Sequence, residues 1–233
     1  THCWSIWTAS ASRGASATYG GFCEGVVLTT VPVLKDLVLL GGGHSHVMVL
    51  KHFGMRPVPG VRLTLVSRGV ETPYSGMLPG FIGGHYTYDD AHIDLRMLAR
   101  FADARSIVDE ATGLDLANRQ VLFAHRPPIS YDVLSIDIGS TPNVAVAGAA
   151  EHAIPVKPID QFLERWTALS ARLLETTTPT RIAVVGGGAG GVELLLAVQH
   201  HVAKLRTGSG RDSTHLEYHL FTESNEVLPT HNR

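Results

Sequence analysis

Cysteine is nearly absent. The two thiols of the 233-residue chain, Cys3 and Cys23, both lie near its start. Two cysteines make no disulfide framework and leave no second pair for a zinc site, and no CxxC or CxxxxC redox pair occurs. This scarcity fits a reducing compartment. Charge is sparse too: 17% of residues are charged, the formal net charge is -2, and there is no basic stretch. That disfavours a nucleic-acid binder, whose affinity comes from neutralising phosphates. Long apolar runs are also missing. The best, Val26 to Leu40, is broken by Lys35 and Asp36 and falls short of the roughly 18 residues a membrane helix needs. Metal-ligand spacing is lacking despite 13 histidines. His44 and His46 are two apart and His200 and His201 are adjacent, so neither pair shares a helix face. No metal is expected.

Residues 1–33 carry two formal charges, Arg13 and Glu24, and are rich in Ser, Thr, Ala and Gly. They begin without Met and lack the basic segment of a signal peptide. The expectation is a disordered leader, or non-native sequence translated from upstream of the true start. Order is expected from about Leu34.

Asp36-Leu37-Val38-Leu39-Leu40 is a short apolar run of the kind buried in a parallel sheet. It runs into Gly41-Gly42-Gly43, then a helical pattern with Val47, Leu50 and Phe53 on one face, then a second strand at Arg62–Val66. Strand, glycine turn, helix and strand make a βαβ unit. Thr72 to Gly80 has turn chemistry and is expected to be a loop. A short helix is expected over 93–101. Strand-like runs follow at Ser106–Ala111, Gln120–Ala124 and Val133–Ile138, the signature of a small antiparallel excursion that returns to the parallel sheet. Ile159, Phe162, Trp166, Leu169 and Leu173 mark an amphipathic helix with Trp166 in its core face.

The first unit then recurs. Arg181–Val185 is a strand and Gly186-Gly187-Gly188-Ala189-Gly190-Gly191 a turn. A helix follows with Leu195, Val198, Val202 and Leu205 on one face, then a polar loop from Leu205 to Thr214 and a strand at Glu217–Phe221. Gly186 stands 145 residues after Gly41. This duplication is the main signal in the sequence.

A strand that ends in glycines and feeds a helix gathers backbone N–H groups at a partly positive helix N-terminus, where a diphosphate fits. The second copy carries the complete pattern, Gly186, Gly188 and Gly191, and points to dinucleotide binding. In the first copy Gly41 and Gly43 are in place, but His46 holds the third glycine's position. The match is weaker there, and the helix is expected to sit slightly farther from its strand. The acidic residue that reads ribose hydroxyls is replaced in the first copy by Ser67. In the second copy Glu223 follows the strand; a carboxylate there repels a 2′-phosphate and favours NADH over NADPH, unless Arg211 reverses the preference.

Over residues 36–233 the chain resembles the pyridine nucleotide–disulfide oxidoreductase superfamily, an α/β Rossmann-type FAD/NAD(P)-binding fold. Three features carry the resemblance: the two glycine turns, their spacing, and Tyr131-Asp132-Val133-Leu134 leading to Gly139-Ser140-Thr141-Pro142. It implies FAD held at Gly41, Gly43 and Gly139, with Ser67 at its ribose; His44 is either a neighbour of the FAD phosphates or a surface residue. NAD(P)H is implied at Gly186, Gly188 and Gly191, with Glu193 and Glu223 beside it. Two readings stand for Glu193: a group near the nicotinamide, or a first-turn carboxylate favoured by the helix dipole. Tyr74 is either a flavin-stacking ring or a packed loop aromatic, and Lys157 either a flavin contact or a solvated lysine.

Tyr74-Ser75-Gly76-Met77-Leu78-Pro79 is similar to a segment of the type II NADH dehydrogenase branch, which places Ser75 near the flavin. The missing cysteine pair argues against disulfide reductase and sulfide:quinone chemistry. The resemblance implies hydride transfer from NAD(P)H to flavin and on to a quinone or another small acceptor, in a cytoplasmic protein. In that branch the membrane-binding segment is C-terminal. The string Pro73-Tyr74-Ser75-Gly76-Met77-Leu78-Pro79-Gly80 also resembles the flavoprotein domain fused ahead of bacterial selenide, water dikinase, so a fused selenophosphate-forming domain is an alternative partner; a nucleotide-binding module without turnover is another. The expected domains are an FAD part over 34–150, a connecting helix and linker over 151–180, and an incomplete NAD(P) part over 181–233. The family's closing Gly-Asp flavin motif is not found, so a C-terminally truncated fragment is expected.

Overall fold

A computed structural model describes residues 32–228. The leader expectation, and both cysteines with it, falls almost wholly on residues 1–31, outside the described residues. The first unit is β1 (Lys35–Leu40), α1 (His44–Met55) and β2 (Val61–Ser67), with β1 and β2 parallel. After β3 (Glu71–Pro73) and a 3-10 turn over Ser75–Met77 come α2 (Leu78–Ile82), α3 (Tyr88–Ala91), β4 (His92–Asp94), α4 (Leu95–Phe101) and β5 (Arg105–Val108). The strands β6 (Ala111–Asp115), β7 (Gln120–Phe123) and β8 (Ile129–Ser130) form an antiparallel sheet, and β9 (Val133–Ile136) returns to pair in parallel with β1. The main sheet runs β5-β2-β1-β9. The second unit follows α5 (Ala149–His152) and α6 (Ile159–Glu175). It comprises β10 (Thr180–Val185), α7 (Ala189–Gly208) and β11 (Leu216–Phe221), with β10 and β11 parallel.

Alternation along β1 explains the layering, because successive side chains leave opposite faces of a sheet. Leu39 packs with Val47, Leu50, Leu95 and Ala99 under α1 and α4. Val38 and Leu40 pack with Val66, Ile107 and Val121 under the antiparallel excursion. The expected strand at Ser106–Ala111 divides. Its first part is β5, parallel to β2, and the chain then turns at Asp109-Glu110 into β6.

Two expectations are corrected. Thr72–Gly80 is not a plain loop: it folds into β3, the 3-10 turn and the start of α2, because Leu78 and Ile82 have a core to enter. That core joins α2 to Phe162, Trp166 and Leu173 of α6 and to Leu194, Val198 and Val202 of α7. In α7 the buried row is Leu194, Val198, Val202 and Arg206, a strict spacing of four, whereas Leu205 is exposed. Ile82 is fully buried where α2 packs on α6 and α7. Ile82→Ala is expected to lower unfolding free energy by about 2–5 kcal/mol, measured by urea denaturation.

Histidines line the same junction. His201 Nε2 lies 3.1 Å from Ser170 Oγ and its ring is tilted against Trp166, while His200 stacks on His85. Burial, then Lys204 and His200, push the His201 pKa down. The folded state therefore takes up this proton less readily than the unfolded chain. Stability is at its fullest above the ordinary value of 6.5 and falls as pH drops through it. His201→Gln is expected to flatten the loss of melting temperature between about pH 7.5 and about pH 5.5 relative to the unaltered chain.

Candidate functional site

Each unit places a glycine turn between the end of its first strand and its helix. In the second, Gly186 has φ +127°, a backbone state open to glycine. Its N–H donates to Phe221 O at 2.8 Å. A Cβ on Gly191 would overlap Gly186 O, so the first turn of α7 rests directly on the end of β10. Gly188, the N-cap, and Gly190 have nothing within 4 Å of a built Cβ. The mouth of this turn is open, with α7's N-terminus facing into it. Thr222 packs on Gly187, and the loop after β11 closes back through the Leu228 N–H, which donates to Gly187 O at 2.9 Å. Glu223 is exposed one residue past Thr222, beside the turn.

The first turn has the same backbone and a different filling. Gly41 has φ +100°, and its N–H donates to Val66 O at 2.7 Å. His46, at the third glycine's place, is 1% exposed. Its Nδ1 lies 2.7 Å from Gly41 O and its Nε2 2.9 Å from Ser135 Oγ. A carbonyl only accepts, so Nδ1 carries the hydrogen and Nε2 of the neutral ring accepts from the Ser135 hydroxyl. The histidine thus ties α1 to β1 and β9 at the spot where Gly191 gives bare contact. Asp137, just past β9, fills the rest: Ser45 N–H donates to its Oδ2 at 2.9 Å, and Gly43 N–H donates to its backbone carbonyl at 3.1 Å. A Cβ on Gly43 would overlap the Asp137 carboxylate.

The remaining site residues gather unevenly. Ser67 closes β2, its Oγ 3.0 Å from a built Cβ on Gly42, which sets it over the first turn. His44, the first residue of α1, stacks on Tyr74 with ring centroids 4.6 Å apart, and exposed Ser75 follows Tyr74. Tyr74 is therefore half of a ring pair beside the turn. Gly139 has φ +77° and open space around it, and Lys157 Nζ donates to the neighbouring Ser140 Oγ at 3.4 Å. Glu193 is the fifth residue of α7, exposed and beyond the helix's first turn, so the dipole reading of its carboxylate is withdrawn. Arg211 does not reach the second turn. It pairs with Glu175 at 2.9 and 3.0 Å near the start of β11, and Thr180 and Leu216 pair at that end. The glycines lie at the other end, about 20 Å of strand away.

Sequence reasoning missed two residues. Arg206, in the stretch expected to be an exposed charged loop, is 2% exposed. Its guanidinium donates to the carbonyls of Leu173 and Thr176 (both 2.9 Å), Leu174 (3.2 Å) and Asp212. It caps the negative end of α6 from within the core. Asp137 carried a faint signal: a lone acid between Ile136 and Ile138 in a run otherwise read as a buried strand.

Two turns of this kind stand on either side of an antiparallel excursion. The chain is 32% identical over 167 residues to the NADH dehydrogenase-like protein YutJ of Bacillus subtilis, covering 69% of this chain and 44% of that protein. In sequence, the chain is similar to that NADH dehydrogenase-like protein over about two thirds of its own length. A solved structure of NDH2 from Plasmodium falciparum in complex with NADH superposes with a TM-score of 0.70 at 19% identity, over 85% of this chain and 44% of that one. Sulfide:quinone oxidoreductase from Aquifex aeolicus gives 0.57 at 22% identity, over 73% and 40%. At these identities the structures report the fold. No family model matches the chain. The chain spans less than half the length of the relatives it matches. Among the described residues no helix is long and apolar enough to cross a membrane.

Proposed function

We propose that this chain is the cofactor-binding part of an FAD-dependent NAD(P)H oxidoreductase that passes electrons to a quinone or another small acceptor. The observation that carries the reading is the second turn. Its Gly186, Gly188 and Gly190 face open space at the N-terminus of a 20-residue helix, and Gly191 lets that helix rest on its strand. Such a cradle suits a dinucleotide diphosphate. Glu223 beside it suits a ribose 2′-hydroxyl better than a 2′-phosphate, and Arg211 is committed elsewhere, which supports NADH over NADPH.

FAD belongs at the first turn, held by Gly41, Gly43 and the α1 N-terminus, with Ser67 at the ribose. Gly139, Ser75 and the His44–Tyr74 ring pair line the approach. Bound there, a flavin would supply the hydride-accepting and electron-releasing chemistry between a reduced nicotinamide and the second acceptor. The protein's share is positioning: two rigid strand ends hold two dinucleotides while the α2–α6–α7 core fixes one unit against the other. No acid or base is needed from the residues gathered here.

The test is anaerobic addition of NADH to the chain reconstituted with FAD. Loss of the visible flavin absorbance is expected. Flavin that binds and is never bleached by NADH or NADPH would leave a nucleotide-binding module without turnover. A second reading rests on the Pro73–Gly80 string: the chain as the flavoprotein half of a selenide, water dikinase fusion. Reading the gene beyond the Arg233 codon into an ATP-binding domain would establish it.

A further inference from the structure

We propose that Asp137 sets the affinity of the first turn: its carboxylate is a built-in anion on the N-terminus of α1, and the FAD diphosphate binds there only by turning it away. The inference rests on the flavin reading above and concerns a residue for which that reading has no role.

The two turns of this one molecule differ in what meets the helix N-cap. Gly43 and Gly188 hold the same place in the pattern, each the N-cap of its helix. At Gly188 the direction of a Cβ meets nothing within 4 Å; at Gly43 it meets all three terminal atoms of the Asp137 side chain. The carboxylate is held there by the Ser45 N–H at 2.9 Å. A free N–H at a helix start is what a diphosphate oxygen would accept from, so ligand and side chain compete for one donor and one patch of positive potential. Both are anionic, and like charges held this close repel.

The backbone of Asp137 need not move in the exchange. Its N–H donates to Leu40 O at 2.8 Å and its carbonyl accepts from Gly43 N–H at 3.1 Å, so rotation about the side-chain torsions is enough to clear the helix. In the free chain the carboxylate satisfies the α1 N-terminus and steadies the turn. The consequence is an unequal pair: an open second turn that takes its ligand directly, and a self-capped first turn that takes its ligand at the expense of an internal bond.

FAD titrations, followed by flavin fluorescence, of the unaltered chain, Asp137→Ala and Asp137→Asn test this, with an NADH titration of each alongside. Asp137→Ala is expected to bind FAD about tenfold more tightly or better, and Asp137→Asn, which keeps the shape and loses the charge, to fall between. NADH affinity should be the same in all three, and the ligand-free Asp137→Ala chain should melt at a lower temperature. Equal or weaker FAD binding by a folded Asp137→Ala would overturn the proposal and leave the flavin reading standing. If Asp137→Ala does not fold, as judged by circular dichroism, Asp137→Asn decides by the same comparison. Retained NADH binding with no FAD binding by any of the three would instead overturn the flavin reading, and this inference with it.

Discussion

Gly191→Ala is expected to abolish measurable NADH binding while leaving FAD binding at the first turn intact. The added methyl would overlap Gly186 O, and both partners are backbone, so no side chain can yield. Helix α7 must back away from β10, which moves the N–H groups of its first turn off the diphosphate position and strains the packing of Leu194 against the core. Overpacking of this kind costs about 1–3 kcal/mol. Two neighbours separate binding from folding. Gly190→Ala meets nothing within 4 Å and puts a better helix former into α7, so its stability should be unchanged or raised by up to about 1 kcal/mol. Gly188→Ala should also fold normally, yet its methyl would project into the open mouth and weaken NADH binding. Calorimetric titration with NADH and urea denaturation of the three variants distinguish these outcomes. Equal NADH affinity in Gly191→Ala would remove the second turn from the site.

Arg206→Met is expected to destabilise the second unit by about 3 kcal/mol or more, since carbonyls of Leu173, Leu174, Thr176 and Asp212 would lose a buried donor together. Methionine fills much of the volume and donates nothing. Arg206→Lys should recover only part of the loss, because one ammonium cannot reach acceptors spread along the guanidinium fork. Arg211→Ala is the control. Arg211 pairs with Glu175 at the surface, where an ion pair contributes about 1 kcal/mol or less. Urea denaturation should place Arg206→Met far below Arg211→Ala; similar values for the two would mean that the buried fork is not what closes the end of α6.

The parallel strands and glycine turns were legible in the sequence because short-range chemistry dictates them. Apolar runs such as Leu37–Leu40 and Ile182–Val185 have one use in a sheet, and glycines at a strand end have few. What was not legible depends on partners distant in the chain. Leu78 read as part of a loop until α6 and α7 supply a core for it. Arg206 read as solvated until the last carbonyls of α6, some 30 residues earlier, surround it. The α7 face was misjudged by one residue at Leu194 and Leu205 because the helix is apolar around much of its circumference, so periodicity alone does not choose a side. His46 looked like a flaw in a glycine pattern. Its ring bond to Gly41 is local, but the one to Ser135 depends on β9 returning beside β1 from a position 89 residues later.

On the proposed function, one chain holds two dinucleotides at two separate turns. Equilibrium dialysis of the chain with FAD and NADH, alone and together, is the test. One FAD and one NADH per chain are expected, bound without competition, with NADH alone lost in Gly191→Ala. Mutual displacement of the two ligands, or loss of both in that variant, would contradict it.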